Sequence, residues 1–162
     1  MQNLEEVSVS VVQAFEQAIN SNARIDSYGL EKLCPVREYK AFKVKLEAHD
    51  IGRLYLLGEF VKHTAGHTGL VADILPAMGY NPRVLQFTAT TFDLRAAAGK
   101  ELVIVTPDER TGPLVVIDGN HRVIAQQLNY HTVEGILAYV CSHARVIEWG
   151  FVPEYARRIG AE

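Results

Sequence analysis

The sequence predicts an α+β fold, a small mixed β-sheet with helices packed on it, and three observations lead there. Two short apolar runs, residues 102–105 and 114–117, have the character of strands buried on both faces. A third stretch alternates, with Phe42, Val44 and Leu46 set against Lys43, Lys45 and Glu47, as a strand with one wet face requires. Around these runs, apolar residues recur at helical spacing. The resulting order is helix, strand, helices, strand, hairpin, helix, strand, helix. With 162 residues, 48% of them hydrophobic, the chain suits a single domain over residues 1–162 with room for a real core.

In chain order, Asn3 with Glu6 resembles a capping box, and Leu4, Val7, Val11, Phe15 and Ala18 follow at helical spacing. An N-terminal helical segment over about residues 3–20 is expected. Residues 21–37 read as irregular, broken by Gly29 and Pro35. The alternating strand comes next. Asp50 is a candidate cap for a helix through Ile51, Leu54, Leu57 and Val61, although Gly52 and Gly58 weaken it and residues 53–57 suit an extended chain as well. Leu70, Ile74 and Leu75 suggest a short helix after a glycine-rich segment able to close over a ligand. Residues 84–88 read as extended, and Thr91 caps a short helix ending at Gly99. Residues 106–113 form a polar Pro/Gly loop between the two apolar strands, which should therefore be antiparallel neighbours. Residues 132–140 are strand-like. Ser142 then caps a helix carrying Ala144, Val146, Ile147 and Trp149, and Pro153 opens a last helical turn.

Charge and composition exclude several functions. With 16 basic and 19 acidic residues, the chain lacks the electrostatic footprint of a strong nonspecific DNA binder. Cys34 and Cys141 are too few for a disulfide framework, and no secretory leader opens the sequence, so a cytoplasmic protein is expected. No apolar run approaches the roughly 20 residues of a membrane helix, so no membrane partner is expected. The phosphate-binding loop of P-loop NTPases, the nucleophile elbow of serine hydrolases and the paired cysteines of thiol redox proteins are all missing.

The most informative stretch runs from Leu114 to Leu128, where a buried strand ends at Asp118-Gly119 and a helix begins. Asn120 is the expected N-cap, and His121, Ala125 and Leu128, with Ile124 beside them, make the apolar stripe. A strand-to-helix turn leaves the first helical N–H groups without intrahelical partners and aims the positive end of the dipole at the turn. Arg122 occupies the first helical turn, where a cation is normally unfavourable; a bound anion, above all a phosphate, accounts for it. Arg122 shares its face with Gln126 and Asn129 and is expected to look outward. His121 suits a core imidazole as well as a ligand contact.

Asp118-Gly119-Asn120-His121-Arg122, followed by Ala125, resembles the phosphate-binding motif of the ParB/sulfiredoxin-like superfamily, which carries G-x-x-R-x-x-A or D-G-x-H-R at a strand-to-helix turn. Gly119, Arg122 and Ala125 match the first form, and all but Asn120 of the pentapeptide match the second. Sulfiredoxins place their catalytic cysteine where this chain has Asn120, so sulfinic acid reduction is not expected. The resemblance implies a ParB/sulfiredoxin-like fold and a nucleotide as ligand or substrate, with hydrolysis or phosphoryl transfer as the associated chemistry. On that reading Gly119 and the amides of Asn120, His121 and Arg122 bind phosphate oxygens, and Asp118 holds Mg²⁺ or orients the turn. His121 or Glu59 assists proton transfer, Glu59 standing in for the family's glutamate outside the motif.

Two other functions fit the same turn: a DNA-binding or DNA-cleaving regulator, disfavoured by the acidic balance and the lack of a helix-turn-helix, and a non-catalytic interaction module. Other polar residues have plain explanations. Asp73, Asp93 and Asp108 read as surface carboxylates before they read as bases, and Lys43 and Lys45 line a wet strand face although either can meet a polyphosphate. His63 and His67 have i, i+4 spacing, but Gly66 between them and the missing glutamate make zinc the lesser reading.

Overall fold

The computed structural model describes residues 1–6, 38–75 and 101–149. Among them, six strands form one mixed sheet in the order β1-β2-β6-β4-β5-β3. The strands are β1 (Gln2–Glu6), β2 (Lys40–Lys45), β3 (Leu54–Tyr55), β4 (Leu102–Thr106), β5 (Leu114–Asp118) and β6 (Leu137–Ser142). One α-helix, α1 (Asn120–Tyr130), joins β5 to β6. This is the expected α+β architecture of a mixed sheet with helical cover. The expected elements over residues 7–37, 76–100 and 150–162, Asp93 and Pro153 included, lie outside the described residues.

The two apolar runs behave as their composition requires. All of β4 and the first four residues of β5 are buried, and the strands pair antiparallel, with Ile104 opposite Val116 and Val105 opposite Val115. Strand alternation then divides their side chains between two faces. Leu102, Ile104, Leu114 and Val116 pack in one core with Val44 of β2, Ala138 and Val140 of β6, and Val123 and Ile124 of α1. Val103, Val105, Val115, Ile117 and Cys141 are buried on the reverse face. Full burial of a Val or Ile side chain contributes about 1.5–3 kcal/mol, so Val123 and Ile124 anchor α1 to the sheet.

Several local expectations are overturned by long-range pairing. Gln2–Glu6 is a strand, antiparallel to β2, although residues 3–6 carry a helix-start pattern. The ladder satisfies its backbone through β2, a partner that a local pattern cannot show. Asp50 is not the N-cap: it is the third residue of a 3-10 helix, Ala48–Arg53, and closes a capping box there, its carboxylate accepting the Glu47 N–H at 2.8 Å. Residues 54–75 form short 3-10 turns around β3, so the helices expected there are absent. Leu54–Tyr55 is extended and pairs parallel with β5. Ser142 closes β6 instead of capping a helix; His143 is the cap, its Nδ1 accepting the Arg145 N–H at 3.1 Å. The last strand likewise starts at Leu137, because the segment before it is committed to a turn that bonds Leu46 to Gly135 and Ile136. No helix among the described residues is long and apolar enough to cross a membrane.

Candidate functional site

The strand-to-helix junction is present as expected, but Gly119 and Asn120 exchange roles. Gly119 is the N-cap, with φ of 100°, a left-handed conformation that glycine adopts without a steric penalty. A Cβ at Gly119 would run into Leu102 Cδ2, so the absent side chain also lets the turn lie on β4. Asn120 is therefore the first residue of α1, not its cap, and its amide is turned inward. Its Oδ1 accepts the Leu57 N–H at 3.0 Å and its Nδ2 donates to the Val116 carbonyl at 3.0 Å. Both ends of a buried amide are satisfied, which ties β5, α1 and the segment after β3 together.

The same tie brings the residues flanking Glu59 to the turn. Glu59 lies in the 3-10 helix Gly58–His63, directly after Leu57, and its own side chain is outside the described residues. Its neighbours on both sides are fixed at the junction: Leu57 binds Asn120, and the Phe60 ring meets His121 edge-on, 4.8 Å between centroids. His121 is thus half-buried against an aromatic ring. Chain position suggested Glu59, and the backbone route delivers that segment to the start of α1.

At the helix start, Val123 donates the first intrahelical bond, to the Gly119 carbonyl at 3.0 Å. The N–H groups of Asn120, His121 and Arg122 precede it and have no intrahelical acceptor. Arg122 is half-buried, and of its expected face-mates Asn129 is exposed while Gln126 is fully buried, with Nε2 donating to the Thr132 carbonyl at 3.2 Å. α1 thus buries Gln126 as well as the expected Ile124 and Ala125. Burial lowers the pKa of Arg122 from its usual value, while Asp118 and Glu101 oppose that shift. The guanidinium stays charged. Glu101 also pairs with Lys43, 3.6 Å away, whose Nζ stands 6.0 Å from the centre of the Tyr139 ring. Lys43 is therefore linked to the junction through Glu101, whereas Lys45 is exposed at the end of β2. Asp118 is exposed at the end of β5.

The remaining candidates have structural duties. The carboxylate of Asp73 accepts the Thr68 hydroxyl at 2.5 Å. Asp108 folds the β4–β5 loop, accepting the Arg110 N–H at 2.8 Å and the Thr111 hydroxyl at 3.0 Å; these contacts hold its pKa below the ordinary value. His63 is buried and His67 exposed, with φ of 52° at His67, so the pair does not share a helical face. The glycine-rich segment is stitched down: Gly69 donates to Thr64 Oγ1 and its carbonyl accepts the Leu56 N–H.

Sequence reading passed over Glu47, His49 and Asp50, whose ligand atoms lie within 4.8 Å of one another, the one such metal-type grouping among the described residues. Cations already face it. The buried Asp50 carboxylate meets the Met1 amine at 3.2 Å and Arg53 at 3.6 Å. Spacing alone offered three polar residues around Ala48, with no sign that a 3-10 turn would bring their ligand atoms together.

No family model, curated protein or solved structure matches the chain.

Proposed function

We propose that the Gly119–Arg122 turn binds the phosphate of a nucleotide, the function implied by the resemblance to ParB/sulfiredoxin-like proteins. The observation that carries this reading is the combination, in one turn, of the first N–H groups of α1 at the positive end of its dipole and a half-buried arginine among them. Oriented amides and a helix dipole attract an anion, and a guanidinium adds two parallel hydrogen bonds to it. Asp118 and Glu101 offset the positive charge of Arg122 and Lys43, so a phosphate is best received together with a divalent cation. Asp118 and Glu101, both close enough to act on Arg122, would supply carboxylates to a Mg²⁺ ion, which commonly takes one or two of them alongside phosphate oxygens and water. When bound, the ion would neutralise phosphate charge. If hydrolysis or transfer occurs, Glu59 and His121 are the chain's own groups for moving a proton, since both segments meet at the turn.

A second reading, a non-catalytic interaction module, draws on the same two carboxylates, which already answer Arg122 electrostatically. A nucleotide panel, with and without Mg²⁺, scored by thermal shift and phosphate release separates them. A ligand at about 100 times its dissociation constant adds roughly 2.7 kcal/mol to stability. An upward shift that needs Mg²⁺ supports nucleotide binding, and phosphate release adds catalysis. No shift with any nucleotide at millimolar concentration leaves the interaction module.

A further inference from the structure

A cavity of about 580 Å³ lies away from this turn. It opens over β2, between the 3-10 helix Ala48–Arg53 and the β4–β5 loop; that loop is at the start of β5, whereas α1 begins at its end. Its volume falls within the roughly 300–1,000 Å³ typical of small-molecule sites. Met1, Phe42 and Val44 form its apolar surface, and His49, Arg53 and Arg110 supply nitrogen donors. Glu109 completes the lining.

The wall is built, not incidental. Arg53 Nη1 donates to the Gly112 carbonyl at 3.1 Å and Nη2 to the Glu109 carbonyl at 2.9 Å. Ser142 Oγ donates to Glu109 Oε2 at 2.7 Å, which fastens the other side of the loop to β6. These bonds preorganise the loop, so a ligand need not order it. The charges do not all cancel within the wall. Arg53 is answered by Asp50, whereas the Glu109 carboxylate accepts a hydrogen bond from the neutral Ser142 hydroxyl and keeps its charge. The guanidinium of Arg110 makes no hydrogen bond or ion pair among the described residues; the Asp108 carboxylate beside it is occupied by the Arg110 backbone N–H and by Thr111.

We infer that this cavity binds a small organic monocarboxylate with an apolar body of aromatic size, its carboxylate on Arg110 and its body on Met1, Phe42 and Val44. A planar guanidinium matches a carboxylate in a two-bonded fork. The Arg110 guanidinium, free of hydrogen bonds to the described residues, offers its fork to one carboxylate, and the Asp108 and Glu109 charges near it disfavour a polyphosphate. The apolar surface excludes a bare acetate as a sufficient ligand, because acetate leaves most of it uncovered.

The test is titration of the full chain with phenylacetate, phenylacetamide and acetate, following the methyl signals of Met1 and Val44 by NMR. Arg110 is exposed, so Arg110→Gln removes the charge without disturbing the core. The expected result is saturable methyl shifts with phenylacetate in the millimolar range or tighter. Binding should weaken at least tenfold for phenylacetamide, for acetate and for phenylacetate with Arg110→Gln. Absence of methyl shifts at millimolar phenylacetate overturns the inference, as does equal binding of the amide or unchanged binding by Arg110→Gln. Because the probes contain no phosphate and no residue of the Gly119–Arg122 turn lines the cavity, this outcome is distinguishable from nucleotide binding at that turn.

Discussion

Asn120 and Leu57, 63 positions apart, are joined by one buried hydrogen bond of 3.0 Å from the Leu57 N–H to the asparagine Oδ1. With the partner bond to the Val116 carbonyl, that amide makes the start of α1 a three-way junction. Replacing Asn120 by alanine leaves two buried backbone groups unsatisfied, each costing about 1–3 kcal/mol. Denaturant unfolding of Asn120→Ala should therefore show a loss larger than the ~1 kcal/mol of a missing helix cap. A loss of only cap size would mean that water replaces the amide at both partners.

Gly119→Ala should be destabilised for two separable reasons, the left-handed φ of 100° and the collision with the Leu102 side chain. Leu102→Ala alone creates a core cavity and should cost about 2–5 kcal/mol. In the double variant the collision disappears while the backbone strain remains. The two losses should accordingly add to more than the double variant shows, an interaction of roughly 0.5–3 kcal/mol in a double-mutant cycle. Strict additivity would place the Cβ in open space.

Cys141 should resist thiol reagents in the folded protein. Burial pushes its thiol up to about 12, so the reactive thiolate is scarce at pH 8 as well as inaccessible. Between the ordinary value of 9.0 and about 12 the unfolded chain gives up the thiol proton and the folded chain keeps it, so this group's contribution to stability falls as pH rises through that window. In a Cys34→Ser background, alkylation at pH 8 should be slow until denaturant is added. Rapid labelling of the native protein would show that β6 opens or that the thiol is exposed.

Much of the sheet was legible because its signals are local. Residues 102–105 and 114–117 read as buried strands, and the Pro/Gly loop between them favoured the antiparallel pairing that is found. The junction at Gly119 was legible in kind but not in register. Cap preferences rank asparagine high, yet the backbone needed φ of 100°, and the amide of Asn120 was claimed by Leu57. Neither requirement is visible within a few residues of sequence. The strand at Gln2–Glu6 was hidden for the same reason, its partner β2 lying far along the chain. The contacts of Leu57 with Asn120 and of Phe60 with His121 likewise join distant segments and emerged only from tertiary structure. The cavity over β2 had no sequence signal, since its walls come from three separate segments.

Arg122→Lys keeps a positive charge but loses the planar fork, so nucleotide affinity should fall while the denaturant midpoint changes little. Calorimetric titration paired with unfolding curves measures both. If the variant binds like the parent and unfolds earlier, Arg122 serves Asp118 and Glu101 as an ion-pair partner and not a ligand.

Phosphate binding at the start of α1 is tested most directly by amide NMR spectra of the full chain, titrated with a nucleoside triphosphate and Mg²⁺. The expected result is saturable shifts centred on the N–H groups of Asn120, His121 and Arg122, requiring Mg²⁺ and reproduced in part by inorganic pyrophosphate. Shifts that leave these three amides unmoved at saturating nucleotide, or no shifts at millimolar concentrations of any nucleotide, would contradict it.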